Sequence, residues 1–247
     1  MQFEIAYRPG QSMARAVLAP GEQLVAESGA MVGMSTNVHM ETSAGGMKAG
    51  LKRLFGGESF FRNTFTAQGG PGEVLLGQVL CGDMIALDMN AEGYFVQSAS
   101  YIASSAGVNI DTKVGGFRSF FAGEGVFVLK ATASAPGQLL VGAFGGIQEL
   151  RCDGNIVIDT GHLVAWDAGL QYKVGKSAEG WLDSFLSGEG LVCHFSGQGR
   201  IWIQTRNPVE YGRGVGPCCP RGRPEHAVPA GGQARLRRHS GALRSTR

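Results

Sequence analysis

The chain has 247 residues, 43% of them hydrophobic and 40 of them glycine, which is typical of a turn-rich globular protein and excludes a mainly disordered one. The formal net charge of +2 combines −5 over residues 1–211 with +7 from Gly212 onward, and an acidic body argues against binding to a nucleic-acid backbone. With no apolar run of about 18 residues and no signal-peptide pattern at the start, the expected location is the cytoplasm.

Strand-like stretches alternate with turns along the chain, and they fall into three similar units. Each unit opens with a glycine-containing turn, a short apolar strand, and a hydroxyl residue followed three and four positions later by two apolar residues. The turns are Pro20-Gly21, Glu92-Gly93 and Asp153-Gly154; the strands are Leu24-Val25, residues 94–96 and residues 156–158; the hydroxyl residues are Ser28, Ser98 and Thr160. The same local structure is therefore expected three times.

A short amphipathic helix is predicted next in each unit, because apolar residues recur at helical spacing before a Gly-Glu pair. The apolar residues are Leu51, Leu54 and Phe55; Phe117, Phe120 and Phe121; and Leu182, Phe185 and Leu186, and the glutamates are Glu58, Glu124 and Glu189. The pattern recurs after 66 and then 65 residues, which indicates an internal repeat. Helices this short are marginal alone and need a buried face.

Each unit then closes with a strand, a turn and a second strand. The strands are residues 60–65 and 74–76, 126–129 and 139–141, and 191–195 and 201–203; the turns are Pro71-Gly72, Pro136-Gly137 and residues 197–199. The units span about 1–77, 78–142 and 143–211. Because units of this size have little core of their own, we expect one domain over residues 1–211. The predicted fold is all-β, a three-module β-sandwich or double-stranded β-helix with pseudo-threefold symmetry and short helical turns.

The segment 212–247 reads differently, with eight arginines, one acidic residue and almost no apolar periodicity. Clustered arginine could attract nucleic acid or an anionic membrane, but a disordered basic tail without a selected function is the simpler interpretation. Its composition also resembles that of a GC-rich gene read out of frame, which makes a non-native tail a further hypothesis. No function is assigned to it.

Four motifs resemble the family named for altered inheritance of mitochondria: Gly-Glu-Gly-Leu-Val at 188–192, Pro-Gly-Gln-Leu-Leu-Val-Gly at 136–142, and residues 159–166 and 203–208. The resemblance covers about residues 1–213 and leaves out the tail. It implies a fold like that of the tryptophan RNA-binding attenuator protein, built from three similar modules. Fungal members are associated with mitochondrial inner-membrane organisation, and the family has no established catalytic residues to transfer.

The residues of the types used in catalysis give little support to an enzymatic function. Glu58, Glu124 and Glu189 could converge on a cation, although carboxylates accepting backbone hydrogen bonds at helix ends are the simpler interpretation. Cys193 and His194 are adjacent in a strand and should point to opposite faces, and His162 is expected to be hydrogen-bonded to a neighbouring turn. Cys81, Cys152 and Cys193 are predicted to be buried reduced thiols. No catalytic, cofactor-binding or metal-binding residues are predicted.

The predicted helical turns are the candidate interaction surface, with the residues Leu51, Phe55, Phe117, Phe121, Trp181 and Leu182. Their apolar faces either pack into the core or gather into an exposed patch, with Lys48, Lys52 and Arg53 at its rim. The predicted function is a non-enzymatic scaffold or binding protein whose partner is an unknown protein or a second copy, forming a homo-oligomer. One alternative is a peripheral membrane protein involved in membrane organisation; a nucleic-acid-binding protein is a weaker one.

Overall fold

The computed structural model describes residues 1–43, 62–112, 127–176 and 191–216. These residues form seventeen strands and one α-helix: β1 Gln2–Ala6, β2 Met13–Leu18, β3 Gln23–Glu27, β4 Met31–Met34, β5 Val38–Ser43, β6 Arg62–Ala67, β7 Gly72–Leu76, β8 Met84–Asp88, β9 Tyr94–Gln97, β10 Tyr101–Ser105, β11 Val108–Asp111, β12 Val128–Ala133, β13 Gln138–Gly142, β14 Ile147–Asp159, β15 Leu163–Asp167, β16 Gln171–Lys176, β17 Leu191–Gln204 and α1 Pro208–Val215. The fold is all-β, as the sequence predicts.

The strands form three antiparallel sheets. The first has the order β1-β2-β7-β4 and the second β5-β6-β3-β10-β13-β8; the third has the order β11-β12-β9-β15-β17-β14, with β16 also paired to β17. Buried residues alternate along strands such as β6 and β7, which is the pattern of a sheet with one face on a core. The sheets therefore pack face to face as sandwiches.

Three clusters of buried side chains hold the sheets together. The first joins the four-stranded and six-stranded sheets and includes Leu18 and Phe65. The second joins the six-stranded and seven-stranded sheets through residues such as Leu139 and Trp202. The third lies within the seven-stranded sheet, which folds back on itself so that Trp166 of β15 contacts Phe195 of β17 at 5.5 Å between ring centroids. Each fully buried side chain of this size stabilises the fold by about 1.5–3 kcal/mol.

Strand pairing follows the same pattern in each third of the chain. With strands counted from β2 in the first unit and from β8 in the second, so that β1 is left out, one strand lies between the second and the fourth: β6 between β3 and β5, and β12 between β9 and β11. Another lies between the first and third: β7 between β2 and β4, and β13 between β8 and β10. In the last third, β17 takes both positions, pairing with β14 along its length and with β15 and β16 on its other side. A rotational pseudo-threefold relation between the thirds stays a prediction.

A one-residue bulge marks the same strand of each unit. The register shifts at Val32 in β4, at Ile102 in β10 and at Val164 in β15. These are the second apolar residues of the landmark that follows each hydroxyl residue in the sequence. The bulge therefore provides a structural reference point for comparing the three strands residue by residue.

The turns predicted at Asp153-Gly154 and at residues 197–199 are wrong. β14 and β17 continue through both positions, and Gly154 lies opposite Gly197 in the ladder. Both glycines have φ near +111°, so the two strands bend together without reversing. The local sequence is turn-like because such a φ value favours glycine, but the long-range pairing keeps the strands continuous.

The chain forms helix α1 where the sequence predicts the tail to begin. The Asn207 side chain accepts hydrogen bonds from the backbone N–H groups of Val209 and Glu210, and Pro208 occupies the first turn, so an ordinary N-terminal cap starts the helix. Tyr211 packs against Phe144 at 4.9 Å between ring centroids. The helix thus extends past Gly212, and residues 217–247 lie outside the described residues.

Candidate functional site

The residues predicted from the sequence as an interaction surface lie outside the described residues. Leu51 and Phe55 fall in 44–61, Phe117 and Phe121 in 113–126, and Trp181 and Leu182 in 177–190. The same ranges contain Glu58, Glu124 and Glu189. Whether the helical turns are buried, and whether the three glutamates converge, stays a prediction.

The Cys193-His194 pair lies on β17 with its side chains on opposite faces, as predicted: Cys193 is buried and His194 is exposed. Burial raises the pKa of the Cys193 thiol to about 12, so the thiolate needed by a nucleophile is disfavoured. His162 lies in a one-turn 3-10 helix, Thr160–His162, and its Nδ1 atom is 2.7 Å from the backbone oxygen of Gln204. Its partner is therefore the end of a strand and not a turn.

The prediction that all three isolated cysteines are buried is wrong for one of them. Cys152 and Cys193 are buried, whereas Cys81 is exposed, and all three are free thiols. Cys81 lies in the connection between β7 and β8, beside Val79 and Leu80, which are also exposed. The apolar neighbours that suggested burial belong to a surface connection and not to a strand.

A buried carboxylate ties the start of β2 to the start of β8. Arg8 donates to both oxygens of Asp83 at 2.8 and 2.9 Å, and the Ser12 hydroxyl and the Met84 backbone N–H donate to Oδ1. Burial alone raises the pKa of Asp83, but these hydrogen bonds outweigh it and hold the pKa below its ordinary value. Every oxygen of the group is used internally, so the cluster stabilises the fold.

A second polar cluster lies where β15 and β17 pair. Asp167 accepts hydrogen bonds from the backbone N–H and the guanidinium of Arg200, which also donates to the Tyr94 hydroxyl at 3.2 Å. The Arg200 guanidinium stacks over the Trp202 ring at 4.9 Å. The guanidinium is thus held by a carboxylate, a hydroxyl and an aromatic ring of the fold itself, and this cluster too is structural.

A cavity of about 460 Å³ lies where parts of all three units meet. Its walls come from residues 27–30 and 77–80, 97 and 99–102, 142–144, and Gln204 and Pro208. Glu27 is its acidic group, and burial raises the pKa of its carboxyl to about 7. The cavity could bind a small hydrogen-bonding group, but among the described residues no set of three His, Cys, Asp or Glu side chains is placed to hold a metal ion.

The most distinctive surface feature is the open edge of β4. Val32 is 61% exposed and Met34 is 39% exposed, although the bulge aligns them with residues of β10 and β15 that are buried. The aligned residues, Ile102 and Ser104 in β10 and Val164 and Trp166 in β15, are at most 3% exposed. The strands also differ in pairing: β10 and β15 have a strand on each side, whereas β4 pairs only with β7 among the described strands.

The second half of β14, residues 154–159, is the complementary open edge. It occupies the place that β3 and β9 take in the other units, just before the turn that leads to the bulged strand. β3 pairs with β10 and β9 pairs with β15, but this part of β14 pairs only with β17 in the part of the chain that the structure describes. Val157 is 54% exposed there. We call β4 and residues 154–159 the two open edges.

The sequence pattern predicts residues 156–158 as a strand and marks Met31 and Val32 only as two apolar residues after Ser28, and it does not show that either edge lacks a partner. A signal was present for β4, since Met31–Met34 contains no charged residue, whereas residues 154–159 include Asp159. Every other edge strand of the described residues carries charge, for example Glu41 in β5, Lys173 in β16 and Asp111 in β11. Charged residues are a common protection of free edges, so the uncharged edge of β4 is exceptional.

None of the described helices is long and apolar enough to span a membrane. The sequence matches the family described as Mitochondrial biogenesis AIM24 over residues 3–206. It is 31% identical over 206 residues to an uncharacterised protein of Streptococcus pyogenes serotype M6, covering 78% of this chain and 81% of that protein. An X-ray crystal structure of a Streptococcus pyogenes protein has the same fold, with a TM-score of 0.73 and 24% identity over 88% of this chain and 99% of that one. The protein therefore belongs to the Mitochondrial biogenesis AIM24 family.

Proposed function

We propose that this protein is a non-enzymatic scaffold or binding protein that self-associates. The observation that carries the proposal is the exposed apolar edge of β4, at a strand position that is fully buried in the other two units. Unpaired backbone donors and acceptors beside exposed apolar side chains are a template for another strand. A second copy of the chain is the partner that the fold itself suggests, because the same kind of edge already joins the units.

The polar groups of the described residues fit a structural role better than catalysis. Asp83 and Asp167, the most heavily hydrogen-bonded carboxylates, are both held by arginines within the fold. The Cys193 thiol is buried and faces away from His194. Free thiols at Cys81, Cys152 and Cys193 are typical of a reducing compartment, which supports a cytoplasmic location.

Light scattering coupled to size-exclusion chromatography tests self-association with the full chain. We expect a mass above the 26.0 kDa of one chain, rising with protein concentration. Met34→Lys should lower the mass, because it places a charge on the open edge. Met40→Lys is the matched control, since Met40 is 38% exposed and lies on β5, an edge strand that already carries charge. A mass of one chain at every concentration would contradict the proposal.

A further inference from the structure

The units of this chain are joined by one kind of strand pairing, used twice. β3 pairs antiparallel with β10, with Ala26 opposite Ala103 and Val25 opposite Ser104. β9 pairs antiparallel with β15, with Val96 opposite Ala165 and Phe95 opposite Trp166. In each case the strand before the hydroxyl residue of one unit, Ser28 or Ser98, meets the bulged strand of the next unit.

Both junctions also have the same register relative to the bulge. Ala103 is the residue after the bulge at Ile102, and Ala165 is the residue after the bulge at Val164. Their partners, Ala26 and Val96, both lie two residues before the hydroxyl residue that starts the next turn. A junction is therefore defined by two positions: the residue directly after the bulge in one strand, and the residue two before the hydroxyl residue in the other. The same rule can be applied to any other pair of such strands.

The two open edges are the two halves of a third junction of this kind. β4 is the bulged strand of the first unit, and residues 154–159 precede the turn at Thr160 in the third. The register of the other junctions places Gly33 opposite Ile158 and Met34 opposite Val157. Met34 and Val157 are both exposed large apolar residues, and they take the positions of Trp166 and Phe95, whose rings contact at 5.6 Å.

We propose that β4 of one chain pairs antiparallel with residues 154–159 of a second copy, with Met34 opposite Val157. This inference rests on the proposed self-association and names its surface, register and direction. A second copy is the occupant because the two edges of a single chain are not paired with each other in the structure. Neither edge carries a charge at the residues that meet, so nothing in the pair repels the other.

The proposed contact is head-to-tail, because its two sides are different strands. Such a heterologous contact leaves one open edge at each end of an assembly that has not closed into a ring. Assemblies therefore grow by whole chains until a ring closes. The strand pairing between chains is then the same as the pairing between the units of one chain. Backbone hydrogen bonds would supply affinity, and the Met34–Val157 pair would set the register.

Disulfide trapping between two copies tests the register directly. In a full-length background with Cys81, Cys218 and Cys219 changed to serine, Met34→Cys and Val157→Cys are prepared as separate proteins, mixed, and exposed to oxidised glutathione. Directly opposite residues in antiparallel strands are close enough for a disulfide. We expect a covalent species of two chains in the mixture, at a yield several-fold above that from a mixture of Met40→Cys and Val157→Cys.

The double variant Met34→Cys with Val157→Cys in one chain separates the remaining outcomes. We expect it to form ladders of two and more chains. A one-chain product with an internal disulfide would overturn the inference, because the chain would then close on itself. Assembly by light scattering without trapping would also overturn it, while leaving self-association through another surface intact. A single-chain mass under all conditions would overturn the inference and the proposed function together.

Discussion

The turn before β9 offers a quantitative test of how closely this turn approaches β12 within the second unit. Gly93 has φ near +82°, and a Cβ atom added there would lie 2.1 Å from the backbone oxygen of Ala131 in β12. Gly21 occupies the equivalent turn before β3 with φ near +79°, and nothing lies within 4 Å of its added Cβ. The pair therefore separates backbone strain from steric contact in matched surroundings.

The two costs can be worked out from the structure. A left-handed alanine costs about 1 kcal/mol relative to glycine, and this applies to both positions. At Gly93 the β12 backbone must also move away, which weakens its pairing with β9 and leaves buried polar groups unpaired, at about 1–3 kcal/mol more. We expect Gly93→Ala to destabilise by about 2–4 kcal/mol and Gly21→Ala by about 1 kcal/mol.

Urea unfolding of the two variants and the parent chain measures this difference. The denaturant dependence of the free energy should stay unchanged, so that a lower midpoint reports a lower stability. Equal losses at the two positions, within about 0.5 kcal/mol, would refute the steric contact between the β9 turn and Ala131.

Two further predictions concern pH. Burial raises the pKa of Glu27 to about 7, so this carboxyl binds its proton more tightly in the folded protein than in the unfolded chain. Glu27 therefore lowers the free energy of unfolding increasingly as pH rises from about 4.5 to above 7. Glu27→Gln should therefore gain stability over the parent at pH 8 but not at pH 4, and a gain independent of pH in thermal unfolding would contradict the buried carboxyl. The pKa of Asp83 is lowered instead, so its contribution is complete at neutral pH and is lost as pH falls below about 4. Asp83→Asn should cost about 1.5–3 kcal/mol at pH 7 and progressively less in urea unfolding toward pH 3. A difference in stability that does not change with pH would contradict the role of the Asp83 charge in binding Arg8.

The fold class and the order of strands could be predicted because they depend on local patterns. Turn glycines such as Gly21 and Gly93, and alternating apolar residues, are enough to place β3 and β9. Gly154 and Gly197 carry the same local signal, yet they lie inside continuous strands because each pairs with the other. That pairing joins residues far apart in the chain and has no counterpart in the local pattern.

The open edges could not be predicted for the same reason. Residues 156–158 are predicted as a strand and Met31-Val32 as an apolar pair, like their counterparts in the other units, and only the sheet order shows that these strands lack a neighbour. Exposure of Cys81 was missed because apolar residues in a connection resemble a buried strand. Helix α1 did have a signal, since Asn207-Pro208 is a common helix start, but the arginine-rich composition that follows suggested a tail.

Amide hydrogen exchange at the two open edges, measured across protein concentrations, tests the central claim most directly. Backbone amides of β4 and of residues 154–159 should exchange more slowly as concentration rises, because pairing between copies protects them. The amides of β5, an edge strand with charge, should show no change. Amide exchange at both open edges that does not depend on protein concentration would contradict the pairing of one chain with the next. Exchange that is already slow when the chain is a monomer would contradict it as well.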